Sequence, residues 1–189
     1  MSRYIKLITF LILGQLLTSC VGVMVVGAAG SMMVYDRRSL AMIEKDARIF
    51  YVTNTNIRNI RAFRDSHISV TSYDQVILLT GEVTSTSLKA EAERIARDTP
   101  NVRRVYNEIT VGEPISLSQR SKDALISSQV RSKMLAEKGL ESGSIRIITE
   151  NATVYLMGIA THEQADLAVL VARNTQGVNK VVKIFQYIV

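Results

Sequence analysis

Cysteine, proline and tryptophan are nearly absent from this chain. Among its 189 residues there are one cysteine, two prolines and no tryptophan. A single cysteine cannot form an internal disulfide, so the fold does not rely on cross-links, and the content of 47% hydrophobic residues is that of an ordinary globular protein. The net charge of +6 is a mild basic excess, without a Lys/Arg-rich stripe carrying interleaved aromatic residues. The composition therefore argues against a nucleic-acid binder and suits an anionic surface better.

Sequence patterns for catalysis are missing as well. The two histidines, His67 and His162, have no cysteine partners and no metal-ligand spacing. The Gly-x-Ser-x-Gly, phosphate-loop and dinucleotide-binding patterns do not occur. We therefore expect a protein that is not an enzyme, with no cofactor and no metal site.

The N-terminus has the pattern of a lipoprotein signal peptide. Arg3 and Lys6 precede the uncharged apolar run Leu7–Leu17, which has the length of a signal core. The run ends in Leu17-Thr18-Ser19-Cys20, where small residues before the cysteine suit the lipoprotein signal peptidase and the thiol accepts a diacylglyceryl group. The sequence thus predicts a signal peptide at residues 1–19 and lipidation of Cys20.

An uncleaved membrane anchor is the alternative interpretation of this region. No charged residue occurs between Lys6 and Asp36, a stretch longer than the roughly 20 residues that a spanning helix needs. Four glycines interrupt the stretch, however, and after cleavage only Val21–Val34 remains apolar, which is too short to span a bilayer. We therefore interpret residues 20–38 as a lipidated apolar tether. Val21 is not the aspartate that retains lipoproteins in the inner membrane of enteric-type bacteria, which favours the outer membrane, facing the periplasm.

The rest of the chain contains an internal repeat. The segment His67–Gly81 matches Ser144–Gly158 at an offset of 77 positions. The identities at this offset are Ile68/Ile145, Leu79/Leu156, Gly81/Gly158 and Thr84/Thr161. After the loss of one residue, identities continue at an offset of 76 in Ala92/Ala168, Ala96/Ala172, Arg97/Arg173, Thr99/Thr175, Val102/Val178 and Val105/Val181. Two copies with a single gap indicate tandem modules of the same fold.

Each copy has the pattern of a hairpin preceded and followed by a helix. Apolar residues alternate at Ile68 and Val70, and the pairs Asp74-Gln75 and Asn151-Ala152 are turn candidates. A glycine, Gly81 or Gly158, ends each hairpin where the backbone bends or another segment packs closely. The predicted helices before the hairpins are about Leu40–Asn56 and Gln119–Ala136, those after them are capped by Ser87 and Thr161, and the closing strands are Val102–Val111 and Val178–Ile188.

This order predicts an α+β fold with two tandem domains. Each domain is helix, strand, strand, helix, strand, with two helices packed on one face of a three-stranded mixed sheet. The predicted first module is residues 39–112 and the second module is residues 119–189. Residues 113–118 form the linker, since Gly112-Glu113-Pro114 breaks regular structure.

The repeat resembles the BON domain, a small module of periplasmic and outer-membrane proteins. The whole mature chain is similar to the dual BON-domain outer-membrane lipoproteins of Gram-negative bacteria (the DolP/YraP family). The resemblance rests on the lipobox at Cys20, the Gly/Ala-rich apolar run after it, and the segments Val105–Ile109, Gly112–Ile115, Val130–Leu135, Thr149–Asn151 and Tyr155–Gly158. It implies a non-enzymatic, lipid-anchored protein that supports outer-membrane integrity, binds anionic phospholipid through the first helix of the second module and gathers at division sites.

One face of that helix fits phospholipid binding. At 100° per residue, Ile126, Val130 and Met134 make a core stripe. A neighbouring face sets an apolar tip among polar and basic side chains, Lys122, Leu125, Gln129 and Lys133. Family members carry an aromatic residue where this chain has Leu125.

Two alternatives remain open for this face. It is either a membrane contact or an ordinary solvated surface with one exposed leucine, which is common. The alternative function is a protein-interaction adaptor, in which the modules bind outer-membrane assembly or cell-wall machinery and do not touch lipid.

Overall fold

Two copies of one α/β arrangement follow each other along the chain. The structure is a computed structural model and describes residues 36–189; the predicted signal peptide, Cys20 and residues 20–35 of the tether lie outside this part. None of the described helices combines the length and apolarity needed to cross a membrane.

The first module begins with a long helix and continues with a hairpin. Ser39 caps the first helix by accepting a hydrogen bond from the backbone N–H of Met42, which satisfies a donor left free at the helix start. In order, the elements are α1 (Leu40–Asn59), a 3₁₀ turn (Arg61–Phe63), β1 (His67–Tyr73), β2 (Val76–Val83), α2 (Thr86–Arg97), β3 (Arg104–Asn107) and β4 (Thr110–Val111).

The second module repeats this order. Its elements are α3 (Leu117–Ala136), a 3₁₀ turn (Ser142–Ser144), β5 (Ile145–Glu150), β6 (Thr153–Ala160), α4 (His162–Arg173) and β7 (Lys180–Tyr187). In each module the hairpin strands pair antiparallel and the closing strand joins the second hairpin strand in parallel. The predicted α+β fold with mixed sheets is confirmed, and the second sheet has the predicted three strands in the order β5-β6-β7. The first sheet has four strands: the order is β1-β2-β3, and the short β4 also pairs with β2 in parallel.

The structure corrects two local predictions. The run Val102–Val111 is not one strand but two, because the Asn107 side chain accepts the Ile109 N–H at 3.3 Å and the chain turns Ile109 into the core. The cap of α2 is Ser85, whose hydroxyl accepts the Leu88 N–H, rather than Ser87.

One buried aspartate in each module holds the hairpin turn. The turn residues Asp74, Gln75, Asn151 and Ala152 all have positive φ, between 46° and 63°. The carboxylate of Asp46 on α1 accepts the N–H groups of the first turn at 2.7 and 2.8 Å. The carboxylate of Asp123 on α3 does the same for the second turn at 2.9 Å for both. Each carboxylate therefore ties a left-handed turn to the helix that packs over the sheet.

Each module has its own core between sheet and helices. The first-module cluster includes Ile49, Ile57, Leu79, Ile95 and Ile109. The second-module cluster includes Ile126, Val130, Met134, Leu156 and Val171. The helices therefore cover one face of each sheet, as the sequence predicts.

The other face of each sheet packs against the other module. A third apolar cluster contains residues from both sheets, namely Tyr73, Leu78, Tyr155, Met157 and Ile184. Polar contacts cross the same seam: the Tyr73 hydroxyl donates to the Ser144 carbonyl at 2.9 Å, and Arg103 donates to the Gln186 side chain at 2.9 Å. The two modules consequently share buried apolar surface in addition to the linker.

Candidate lipid-binding face

Helix α3 owes its orientation to a single apolar stripe. Ile126, Val130 and Met134 lie four residues apart and are buried in the second-module core, with at most 6% of each residue exposed. Residues at this spacing lie on one side of a helix, so the burial of one side fixes which residues face solvent. The core stripe expected from the sequence is confirmed.

The four residues of the predicted contact face all lie on the solvent side of α3. Lys122, Leu125, Gln129 and Lys133 are exposed, and Leu125 has 63% of its surface accessible. We refer to these four residues as the α3 face. Lys122 forms no ion pair within the described residues, so its ammonium group is available to an external anion.

The charge balance of α3 leaves this face cationic. Asp123 is the one acidic residue of the helix, and it is 3% exposed with its carboxylate bound to the turn at Asn151 and Ala152. Because that negative charge points inward, the exposed lysines are not neutralised by an acid of their own helix. An apolar tip beside exposed ammonium groups is an arrangement that an anionic headgroup can contact.

A leucine of the next helix extends the α3 face. Leu170 on α4 is 56% exposed and lines a shallow depression together with Lys133. The Lys133 ammonium donates to the Asn174 carbonyl at the end of α4, at 3.1 Å, which holds the lysine over this depression. Leu170 was not predicted as a site residue, although its exposure could have been inferred from the helical period. It lies about 200° around α4 from the buried Ala168, on the opposite side of the helix.

The other predicted site residue is Cys20, which lies outside the described residues. Arg38 lies near the start of the described part. Its guanidinium pairs with Asp36 and with the buried Asp46, and it stacks on the Tyr73 ring at 3.9 Å. These contacts fix the end of the tether to the first module and to its seam side.

Comparison with known proteins identifies the repeated unit. The BON domain matches twice, at residues 54–113 and 122–188, which together cover more than half of the chain. The first match starts inside α1, and the second covers most of α3 including the whole α3 face. The predicted pair of BON domains is thereby confirmed.

Three relatives align with between 62% and 86% of this chain. The outer membrane lipoprotein DolP of Haemophilus influenzae is 32% identical over 163 residues, which cover 86% of this chain and 84% of that protein. A 21 kDa hemolysin of Actinobacillus pleuropneumoniae is 38% identical over 66% of this chain and 64% of its own length. The osmotically-inducible protein Y of Escherichia coli is 26% identical over 62% of this chain and 60% of its own length.

The family match and the long alignment with a named outer-membrane lipoprotein agree with each other. They confirm the family, the lipoprotein class and the outer-membrane location that the resemblance implies. The chain therefore belongs to the BON-domain family and, within it, to the dual-BON outer-membrane lipoproteins that include DolP.

Proposed function

We propose that this protein is anchored by lipid on Cys20, faces the periplasm, and binds anionic phospholipid through the α3 face to support outer-membrane integrity at division sites. The observation that carries the proposal is the α3 face itself, where an exposed leucine stands among lysines without acidic neutralisation from the same helix. Membership of this family supports a binding role and not catalysis.

Two energetic contributions would act together at the membrane. Each lysine close to an anionic surface contributes roughly 1 kcal/mol, and salt screens this attraction over roughly 8 to 10 Å. Burial of the Leu125 side chain contributes up to about 3 kcal/mol, independent of salt. The face alone is therefore a weak membrane ligand.

The role of the α3 face depends on the separate lipid anchor. An anchor with two or three acyl chains keeps a protein on a membrane without further contacts. The α3 face would then decide where on the membrane the protein collects, favouring regions rich in anionic lipid such as division sites. Predicted domain boundaries of 39–112 and 119–189 place this face entirely in the second module.

A vesicle experiment tests the proposal. The fragment from Asp36 to Val189 lacks the anchor but keeps all described contacts, and it belongs to one compact unit with its own cores. We expect it to co-sediment with vesicles of anionic phospholipid, to bind less at high salt and not to bind vesicles of neutral phospholipid. Absence of binding to any vesicle would contradict lipid recognition.

A second function is favoured by a different helix. Helix α1 exposes an apolar stripe of Leu40, Ile43, Phe50 and Tyr51, of which Leu40 is 86% exposed. A stripe of this kind on a soluble domain is typical of a protein-binding surface. If the fragment binds no vesicle, the protein-interaction adaptor for envelope assembly machinery becomes the better proposal, and Leu40→Asp is the variant with which to test it.

A further inference from the structure

Three side chains that can bind a metal meet at the seam between the modules. His67 on β1 and Glu82 on β2 are directly paired across the first hairpin, and Glu150 comes from β5 of the second module. The His67 Nδ1 atom lies 3.6 Å from Glu82 Oε2 and 3.9 Å from Glu150 Oε1. One ligand atom of each residue lies within 4.8 Å of the others.

These groups are largely removed from water, and their polar atoms are incompletely paired. The Glu82 side chain is 5% exposed and that of Glu150 is 12% exposed. The Ile115 N–H donates to Glu82 at 3.2 Å, and the Thr80 hydroxyl donates to Glu150 at 3.4 Å. Nδ1 of His67 is a buried nitrogen without a hydrogen-bond partner. Within residues 36–189, neither carboxylate forms an ion pair with a lysine or arginine.

The electrostatics of the cluster favour a cation at its centre. Burial, together with the charges of Glu82 and Asp123, raises the pKa of Glu150 to about 7. Burial and the charge of Arg120 lower the pKa of His67. Two carboxylates forced together without a paired cation are costly, and a divalent ion between them removes that cost.

The backbone is shaped to hold His67 in this position. A Cβ atom at Gly81 would lie 2.0 Å from the His67 carbonyl oxygen and 3.2 Å from His67 Nδ1, so only glycine permits this approach. Gly81 also has a φ of +108°, which L side chains rarely adopt. The position of the imidazole is therefore set by the fold of the hairpin.

We propose that His67, Glu82 and Glu150 form a binding site for a divalent transition-metal cation, with Zn²⁺ the best fit, and that the bound ion ties the two modules together. One imidazole nitrogen and two carboxylate oxygens are a donor set that zinc accepts, at bond lengths of about 2.0 to 2.2 Å. Tetrahedral ligands at these lengths stand about 3.4 Å apart, close to the separations of 3.6 and 3.9 Å found here. The partly exposed side of His67 leaves an approach for a water molecule as fourth ligand. This site is independent of the α3 face and goes beyond the proposed lipid function.

Arg120 is the internal competitor for this site. Its charge acts on both His67 and Glu150, and its Nε atom is buried without a hydrogen-bond partner. A guanidinium whose charge acts on two of the three ligands opposes a divalent ion by charge repulsion. Removal of this charge by Arg120→Gln is therefore expected to raise the affinity for zinc.

The test uses the full-length lipidated protein in detergent micelles, with any affinity tag removed. Calorimetric titration with Zn²⁺ is expected to give one saturable site per chain and a higher melting temperature, since an ion that binds only the folded state stabilises it. Mg²⁺ at the same concentration is expected to give neither effect, because it prefers an octahedral shell of oxygens. Co²⁺ is expected to give the intense visible absorption of a tetrahedral site.

Variants locate the ion. His67→Gln, Glu82→Gln and Glu150→Gln are each expected to lower zinc affinity about tenfold or more. The matched control is His162→Gln, which changes the only other histidine of the chain. The His162 ring does not belong to the cluster and stacks on the Tyr187 ring, with 4.0 Å between the ring centroids. No saturable zinc binding by the wild-type protein would overturn the proposal, whatever the variants do. Zinc binding that survives Glu150→Gln unchanged, or that is lost in His162→Gln, would also overturn it.

Discussion

At the scale of the residue, Asp46 and Asp123 stabilise the two hairpin turns through contacts that local sequence does not predict. They lie 77 positions apart, the offset of the repeat, and each accepts both N–H groups of a left-handed hairpin turn. This pair was not predicted from the sequence, because the repeat was recognised only from His67 onward, although the same offset extends back through α1 and α3. The turns themselves were predicted, because Asp-Gln and Asn-Ala separate apolar runs; the carboxylates that hold them come from distant residues and could not be assigned from local pattern.

Removing one of these carboxylates should destabilise its module. Asp123→Ala leaves the N–H groups of Asn151 and Ala152 without their acceptor in a largely buried place, at a cost of roughly 2 to 4 kcal/mol. Chemical denaturation of the 36–189 fragment measures the free energy of unfolding. The matched control is Asp166→Ala, an aspartate whose side chain is 74% exposed, which should change stability by less than about 0.5 kcal/mol. Equal losses in the two variants would show that the turn contacts contribute little.

Gly158 should tolerate no side chain, for a steric reason. A Cβ atom there would lie 2.4 Å from the Ser144 carbonyl oxygen and 3.3 Å from the Ile145 Cα, both backbone atoms that cannot move cheaply. The repeat predicted a bend or a close approach at this glycine, and the close approach is what the structure has. Gly158→Val is expected to lower the melting temperature of the fragment by several degrees, whereas Gly112→Val, with no atom within 4 Å of its Cβ, should barely change it. Similar melting temperatures for the two variants would contradict the steric explanation.

Cys20 is predicted to carry the lipid anchor. Cys20→Ala removes the thiol that accepts the diacylglyceryl group and should block both lipid attachment and signal cleavage. Incorporation of an acyl label, with gel mobility beside the wild-type protein, measures both effects in the same cells. A mutant that is labelled and processed like wild type would contradict lipidation at this residue.

At the scale of the element, helix α3 separates two functions on adjacent faces. Its core stripe was predictable because a 3.6-residue period identifies the buried side of a helix, and its exposed face follows from the same period. The division of Val102–Val111 into two strands was not predictable in this way. It depends on the Asn107 side chain, which accepts the Ile109 N–H and donates to the Lys89 carbonyl of α2. The contact with Lys89 exists only once the helix has docked.

Aspartate on the exposed α3 face and aspartate on the buried stripe of the same helix should therefore have different consequences. Leu125→Asp puts a charge on a residue that is 63% exposed and should leave the fold intact while weakening vesicle binding at every salt concentration. Val130→Asp buries a charge in a fully enclosed position and should unfold the second module, a loss of more than about 4 kcal/mol. Circular dichroism and vesicle co-sedimentation of both variants measure the two effects. An unfolded Leu125→Asp, or a folded Val130→Asp, would show that the faces are assigned wrongly.

At the scale of the whole molecule, the two modules share a core that the repeat alone does not reveal. Tyr73 and Leu78 from one sheet and Met157 and Ile184 from the other belong to one apolar cluster. The strands β2 and β6 contain short continuous apolar runs, Val76–Leu79 and Val154–Met157, but nothing in the sequence says that each sheet covers the other. The meeting of His67 with Glu150 depends on that packing, so local spacing gave no sign of the proposed metal site, and none was expected from the sequence.

The α3 face remains exposed in this packing, so reversing its charge should change membrane binding without disturbing the core. The pair Lys122→Glu with Lys133→Glu removes two positive charges from the face and adds two negative ones. Its matched control is Arg61→Glu with Arg64→Glu, two exposed residues of the first module that change the net charge equally and form no ion pair in the described structure.

The decisive measurement is the affinity of these two double variants for anionic vesicles at low and high salt, on fragments shown to melt like wild type. The α3 variant should lose most of its binding at low salt, where two lysines contribute roughly 1 kcal/mol each, and should differ less from wild type at high salt. The control variant should lose much less. In dividing cells, the lipidated α3 variant should remain on the membrane but no longer gather at the septum. A folded α3 variant that binds vesicles as well as its control at low salt would contradict lipid recognition by this face.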